Sequence, residues 1–65
     1  MSYKIEYLTG AGVVHSKTPY AANLADITNE ARKSSATAKT LFGASSFQIR
    51  DMNDGGKVVV SEAVV

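Results

Sequence analysis

Two runs of β-forming residues, Phe47-Gln48-Ile49-Arg50-Asp51-Met52 and Lys57-Val58-Val59-Val60, flank Asn53-Asp54-Gly55-Gly56. An Asp-Gly pair between such runs is a strong hairpin signal, because tight hairpin turns need positive φ at their centre. With Asp54-Gly55 at the turn centre, Met52 pairs with Lys57, Arg50 with Val59 and Ile49 with Val60. Phe47, Ile49, Val58 and Val60 then share the buried face. The chain therefore closes on two antiparallel strands.

The N-terminal half carries the same period. Tyr3, Ile5 and Tyr7 alternate with Lys4, Glu6 and Leu8, as in a half-buried strand. Thr9-Gly10-Ala11-Gly12 follows, and a II′ turn at Gly10-Ala11 would join this strand to Val13-Val14-His15-Ser16-Lys17. That register sets Val14 beside Tyr7 and His15 opposite Glu6. Thr18-Pro19 reads as an N-cap with proline at the first helical position. Tyr20, Leu24, Ile27, Ala31, Ser34, Ala38 and Leu41 then form one helical stripe, opposite Asn23, Asp26, Glu30, Lys33 and Thr37. A helix from Pro19 to Phe42 would be about 36 Å long, against about 20–23 Å for the strands. The stripe thins to alanine and serine after Ile27, so the helix is expected to about Ser34, with a break or weaker continuation to Phe42 and a stop at Gly43. The expected fold class is α+β: ββαββ, a four-stranded sheet of two hairpins with one helix on one face, as a single small globular domain over 1–65.

This element order, with the opening Met1-Ser2-Tyr3-Lys4-Ile5, superficially resembles the immunoglobulin-binding domain of streptococcal protein G. The likeness of sequence ends at Ile5, and no function is carried over from it. It implies only a strand order, with the first and last strands central and parallel. The apolar character of Val58 to Val65 also suits a central strand.

Sixty-five residues without cysteine leave one thin core and no disulfide or thiolate metal site to reinforce it. A cysteine-free small domain leans toward the cytoplasm. The longest apolar runs are three residues, far short of the roughly 20 of a membrane span. Met1-Ser2-Tyr3-Lys4 also lacks the apolar segment of a secretory leader. No membrane association is expected. The net charge of +1 favours no class of partner until the charges are placed in space.

Few motifs carry chemistry. Asp51-Met52-Asn53-Asp54-Gly55-Gly56-Lys57-Val58-Val59-Val60-Ser61-Glu62 resembles an EF-hand calcium loop, with Asp51, Asn53 and Glu62 as its oxygen ligands. Gly55 and Val59, however, stand where that loop needs oxygen donors, and the three valines favour a strand. Gly10-Ala11-Gly12 lacks the third glycine of a dinucleotide fingerprint. His15 is the only histidine, and Ser16 points to the opposite face, which leaves no nucleophile–base pair. The carboxylates are scattered, and one helix on one sheet has little volume for a deep pocket. No cofactor and no catalysis are expected.

One pattern survives placement in space. The uncovered sheet face is expected to carry Lys4, Lys17, Arg50 and Lys57 against Glu6 alone, around an apolar row of Leu8, Val13, Met52, Val59, Ala63 and Val65. The reading is a non-catalytic binding or oligomerisation module, acting through this face or an edge strand on an unknown protein or on a second copy as a homodimer. Its alternative is weak nucleic-acid binding through the four cations. Against that alternative, Tyr3, Tyr7 and Phe47 point into the core and offer bases no stacking platform.

Overall fold

A computed structural model describes residues 2–64 of the chain. Strands β1 (Tyr3–Thr9) and β2 (Gly12–Lys17) form the first hairpin. Helix α1 (Leu24–Phe42) follows, and β3 (Ser46–Asp51) and β4 (Lys57–Ala63) form the second hairpin. The fold is α+β, ββαββ.

All neighbouring strands are antiparallel, in the order β2-β1-β3-β4. This corrects the central, parallel placement of the last strand. β3 lies beside β1, with Ile5 opposite Ile49 and Tyr7 opposite Phe47, while β4 is an edge. The reason lies in what each strand can bury. Phe47 and Ile49 are large, and both go fully into the core. In β4 only Val60 packs against that core, as does Val64 just beyond the strand.

Tyr3, Ile5 and Tyr7 from β1, with Phe47 and Ile49 from β3, meet Ile27, Ala31 and Ala38 of the helix. The Tyr7 hydroxyl is buried and donates to the Ala31 carbonyl at 2.8 Å, so a polar tip inside the core is satisfied.

The helix begins later than Thr18-Pro19 suggests. Asn23 is the N-cap, its side-chain oxygen accepting from the Asp26 amide at 2.9 Å, and Asp26 places negative charge in the first turn. Residues 18–23 form a connector, and Tyr20 is 95% exposed rather than part of the buried stripe. The Glu30 carboxylate anchors this connector by accepting from the amides of Tyr20 and Ala21 at 3.0–3.1 Å. At the other end there is no break, because Ser35 to Phe42 is helical. Leu41 projects from the stripe and is largely exposed. Gly43, at φ 70°, ends the helix in the left-handed conformation, its amide donating to the Lys39 carbonyl at 3.0 Å, a cap that glycine adopts without steric cost. Nineteen residues span about 28 Å. The mismatch with the strands is thus relieved at the helix N-terminus, not at its C-terminus.

Both hairpins form, each with one irregularity. Thr9 pairs with Gly12 and Leu8 with Val13 as expected, but a bulge then sets His15 opposite Tyr7. The positive φ falls on Gly12 and not on Gly10, so the turn is not II′. In the second hairpin Asp51 pairs with Lys57 and Arg50 with Val58, and a bulge at Val59 restores the expected pairing of Ile49 with Val60. Gly55 and Gly56 supply the positive φ of this longer loop. Val58 consequently lies opposite Arg50 on the uncovered face and is exposed, not buried.

Among the described residues, no helix is long and apolar enough to cross a membrane.

Candidate binding surfaces

Alternation along each strand sorts the side chains between the two faces of the sheet. The face away from the helix carries Lys4, Glu6 and Leu8 of β1, facing Arg50, Gln48 and Ser46 of β3. Glu6 sits at its centre and is only 7% exposed, since the stems of its long neighbours cover it. Arg50 donates to Glu6 from Nε at 2.6 Å and to the Gly56 carbonyl from Nη1 at 2.8 Å. Gln48 donates to Glu6 at 2.7 Å, and the Lys4 ammonium is 3.6 Å away. Burial alone would raise the Glu6 pKa. The hydrogen bonds from Gln48 and Arg50, with the charges of Arg50 and Lys4, outweigh it and hold the carboxyl below its ordinary value.

The structure does not bring the four expected cations together. Lys4 and Arg50 share the open face, but both are engaged by Glu6. Lys17 points to the helix side, where its ammonium lies 3.6 Å from Glu30 and 3.3 Å from the Ser34 hydroxyl. Lys57 opens β4 opposite Asp51. The bulge in β2 causes the Lys17 correction, since one extra residue moves every later side chain to the other face. The open face is therefore a neutralised polar network with apolar margins. Leu8 and Val13 pair at one margin, Val58 and Val59 (38% and 37% exposed) lie at the other, and Met52 is exposed in the adjoining loop. Val65 falls outside the described residues.

Asp51, Asn53 and Glu62 do not converge either. Asp51 pairs with Lys57, and its side chain accepts from the Asn53 amide at 3.0 Å. Glu62 lies further along β4, opposite Phe47, and is ion-paired with Arg32. That pairing holds the Glu62 carboxyl below its ordinary value. Lys57 and Glu62 are five steps apart, roughly 15 Å along a strand.

The second surface was not legible from the spacing. Between β2 and the C-terminal half of α1 runs a groove of about 270 Å³, lined by Tyr7, His15, Lys17, Ser34, Thr37, Ala38, Leu41 and Phe42. It exists because, beyond Ile27, the helix meets the core only through Ala31 and Ala38. Opposite β2, Ser34, Thr37 and Ala38 are too short to fill the space. His15 does not face Glu6. It stacks on Phe42 (centroids 4.7 Å apart, planes within 10°) and on Tyr7 at 6.0 Å. The signal available in the sequence was the thin stripe from Ser34 to Ala38, together with the Val13-Val14 doublet that breaks strand alternation. Comparison with protein-family models, with curated proteins and with solved structures finds no match to this chain.

Proposed function

We propose that the chain is a non-catalytic protein-interaction module whose first partner is a second copy of itself, docking at the β4 edge and the adjoining margin of the open face. The observation that supports this reading is the position of β4. It ends the sheet with Val58 and Val59 exposed, and the helix packs chiefly over the other three strands. An uncovered edge offers a row of backbone donors and acceptors to another strand. The two valines add on the order of 1 kcal/mol each when taken from water. The bulge at Val59 shortens the regular ladder, which points to a weak, reversible dimer and not to an open-ended assembly.

Nucleic-acid binding has less support, since Lys4 and Arg50 are spent on Glu6 and Lys17 on Glu30 and Ser34. The cysteine-free composition favours a cytoplasmic setting. Light scattering over a concentration series tests the main reading. A dimer is expected at high micromolar concentration, with Val59→Lys shifting the chain to monomer. A strict monomer at millimolar concentration would refute it.

A further inference from the structure

We infer that Asp54-Gly55, in the loop that closes β3 onto β4, is a self-modification site, where Asp54 passes through a cyclic imide to isoaspartate. The inference is independent of the dimer proposed above.

The reaction joins the backbone nitrogen of the next residue to the side-chain carboxyl carbon. At this site a bond forms from Gly55 N to Asp54 Cγ, and the Gly55 amide hydrogen leaves with the carboxyl OH as water. A second water then opens the cyclic imide. Attack at Cγ restores aspartate. Attack at the main-chain carbonyl carbon leaves the chain running through Cβ and Cγ, with the former main-chain carboxyl group as a free carboxylate. One water leaves and one enters, so the product keeps the mass of the starting chain.

Three conditions select the reacting residue: a small residue after it, an uncommitted amide on that residue, and room for the side chain to fold back. Of the aspartates and asparagines, only Asp54 precedes glycine, which has no side chain to shield its nitrogen. The amides that the others would use are mostly engaged. Ile27 N, after Asp26, donates to the Asn23 carbonyl at 3.0 Å; Met52 N, after Asp51, donates to the Ser2 carbonyl at 2.8 Å; and Asp54 N, after Asn53, donates to the Asp51 carbonyl at 3.1 Å. Asn29 lies inside α1, where the next amide is spent on the helix. Asn23 precedes the branched Leu24, and its side-chain oxygen is held by the Asp26 amide. The Gly55 amide has no acceptor among the described residues, although the amides of Asp54 and Gly56 on either side both donate to the Asp51 carbonyl. Asp54 and Gly55 are exposed, and no heavy atom beyond the neighbouring residues stands within 4 Å of where a Cβ on Gly55 would lie. The fold thus fixes the loop around one free nucleophile. The Asp54 carbonyl accepts from the Lys57 amide at 3.1 Å, and Lys57 opens β4 opposite Asp51. Isoaspartate lengthens the backbone at that point, so it breaks this turn bond and acts on the first residue of β4.

The test incubates the folded full chain in neutral buffer at physiological temperature, beside a capped synthetic peptide of residues 50–58. Digestion and mass spectrometry with electron-transfer fragmentation locate the isoaspartate in both. An isomer of unchanged mass at Asp54, with a trace one water lighter, is expected in the folded chain at a rate close to the peptide's, while Asp26 and Asp51 stay unconverted. Asp54→Glu, whose longer side chain closes a larger and slower-forming ring, should abolish the product. Asp54→Asn should lose ammonia and reach the same two products faster. In the aged chain the amide resonances of Gly55, Gly56 and Lys57 should move, while those of Ile49 and Val60 stay in place. Conversion about tenfold or more slower in the folded chain than in the peptide, the effect of an amide held by the fold, would overturn the inference. Equal conversion at Asp51 and Asp54, or a product that persists in Asp54→Glu, would overturn it as well.

Discussion

Replacing Glu6 by glutamine tests whether the open face is a neutralised network or a basic surface in waiting. The carboxylate accepts from Arg50 Nε and Gln48 Nε2 at 2.6 and 2.7 Å, and Lys4 stands 3.6 Å away. Hydrogen bonds to charged groups contribute roughly 1.5–3 kcal/mol each when buried. Two discounts apply. Glutamine keeps one acceptor oxygen, and the Arg50 and Lys4 side chains are 36% and 42% exposed, so water takes over part of their solvation. The expected loss is about 1–2 kcal/mol. For a domain of this size, with about 3–10 kcal/mol of total stability, that is a large fraction. It corresponds to a fall in Tm of about 5–15 °C.

The pH dependence identifies the cause. Folding holds the Glu6 carboxyl below its ordinary value of 4.5, so its contribution is present above that value and is lost as pH falls through the folded pKa. Glu30 and Glu62 shift in the same direction, so the chain's own acid limb is a shared one. Subtracting the Glu6→Gln curve from that of the unmodified chain isolates Glu6. The difference should be full near neutrality and shrink below about pH 4.5. Thermal melts followed by circular dichroism supply both curves. A difference that stays flat through the acid limb, or a variant that melts with the unmodified chain, would refute the reasoning. The variant also frees Lys4 and Arg50, so it should bind oligonucleotides more tightly than the unmodified chain, and only at low salt.

Two further outcomes follow from the ends of the elements. Asn23→Ala removes the acceptor for the Asp26 amide and should cost about 1 kcal/mol, read as a lower melting temperature, whereas Thr18→Ala, outside the helix, should change it little. The Gly55 and Gly56 amide resonances should not respond to millimolar calcium, because Asp51 and Glu62 are held apart by β4; a saturable shift at Gly56 would reinstate the metal loop.

Most of the fold was legible because local signals agreed with each other. Alternation in Tyr3 to Leu8, the Asp54-Gly55 turn and the stripe through Leu24, Ile27 and Ala31 all pointed to one helix on a sheet of two hairpins. The helix start was misplaced because two cap signals compete, and the Asn23 side chain, reinforced by Asp26, prevails over Thr18-Pro19. The strand order was not legible from Val58 to Val65, because an apolar run suits a buried centre and a tacky edge alike. What separates them is how much bulk can reach the helix, and there Phe47 and Ile49 exceed the valines of β4.

The candidate surfaces were less legible than the fold for a single geometric reason. Each outer strand carries one bulge, at Val14 and at Val59, and a bulge reverses the face of everything beyond it. In β2 this turns His15 and Lys17 from the open face to the helix side. The basic surface loses a cation and the groove gains its only charged wall. In β4 the longer loop sets Val58 outward and the bulge then returns Val60 to the core, so the same strand both closes the sheet and leaves an apolar margin. Both bulges fall in valine runs, Val13-Val14 and Val58-Val59-Val60, where no polar–apolar alternation marks which residue faces the core. Bulges also blunt edges against unlimited strand addition. The device that redirects the side chains therefore also blunts both edges of the sheet.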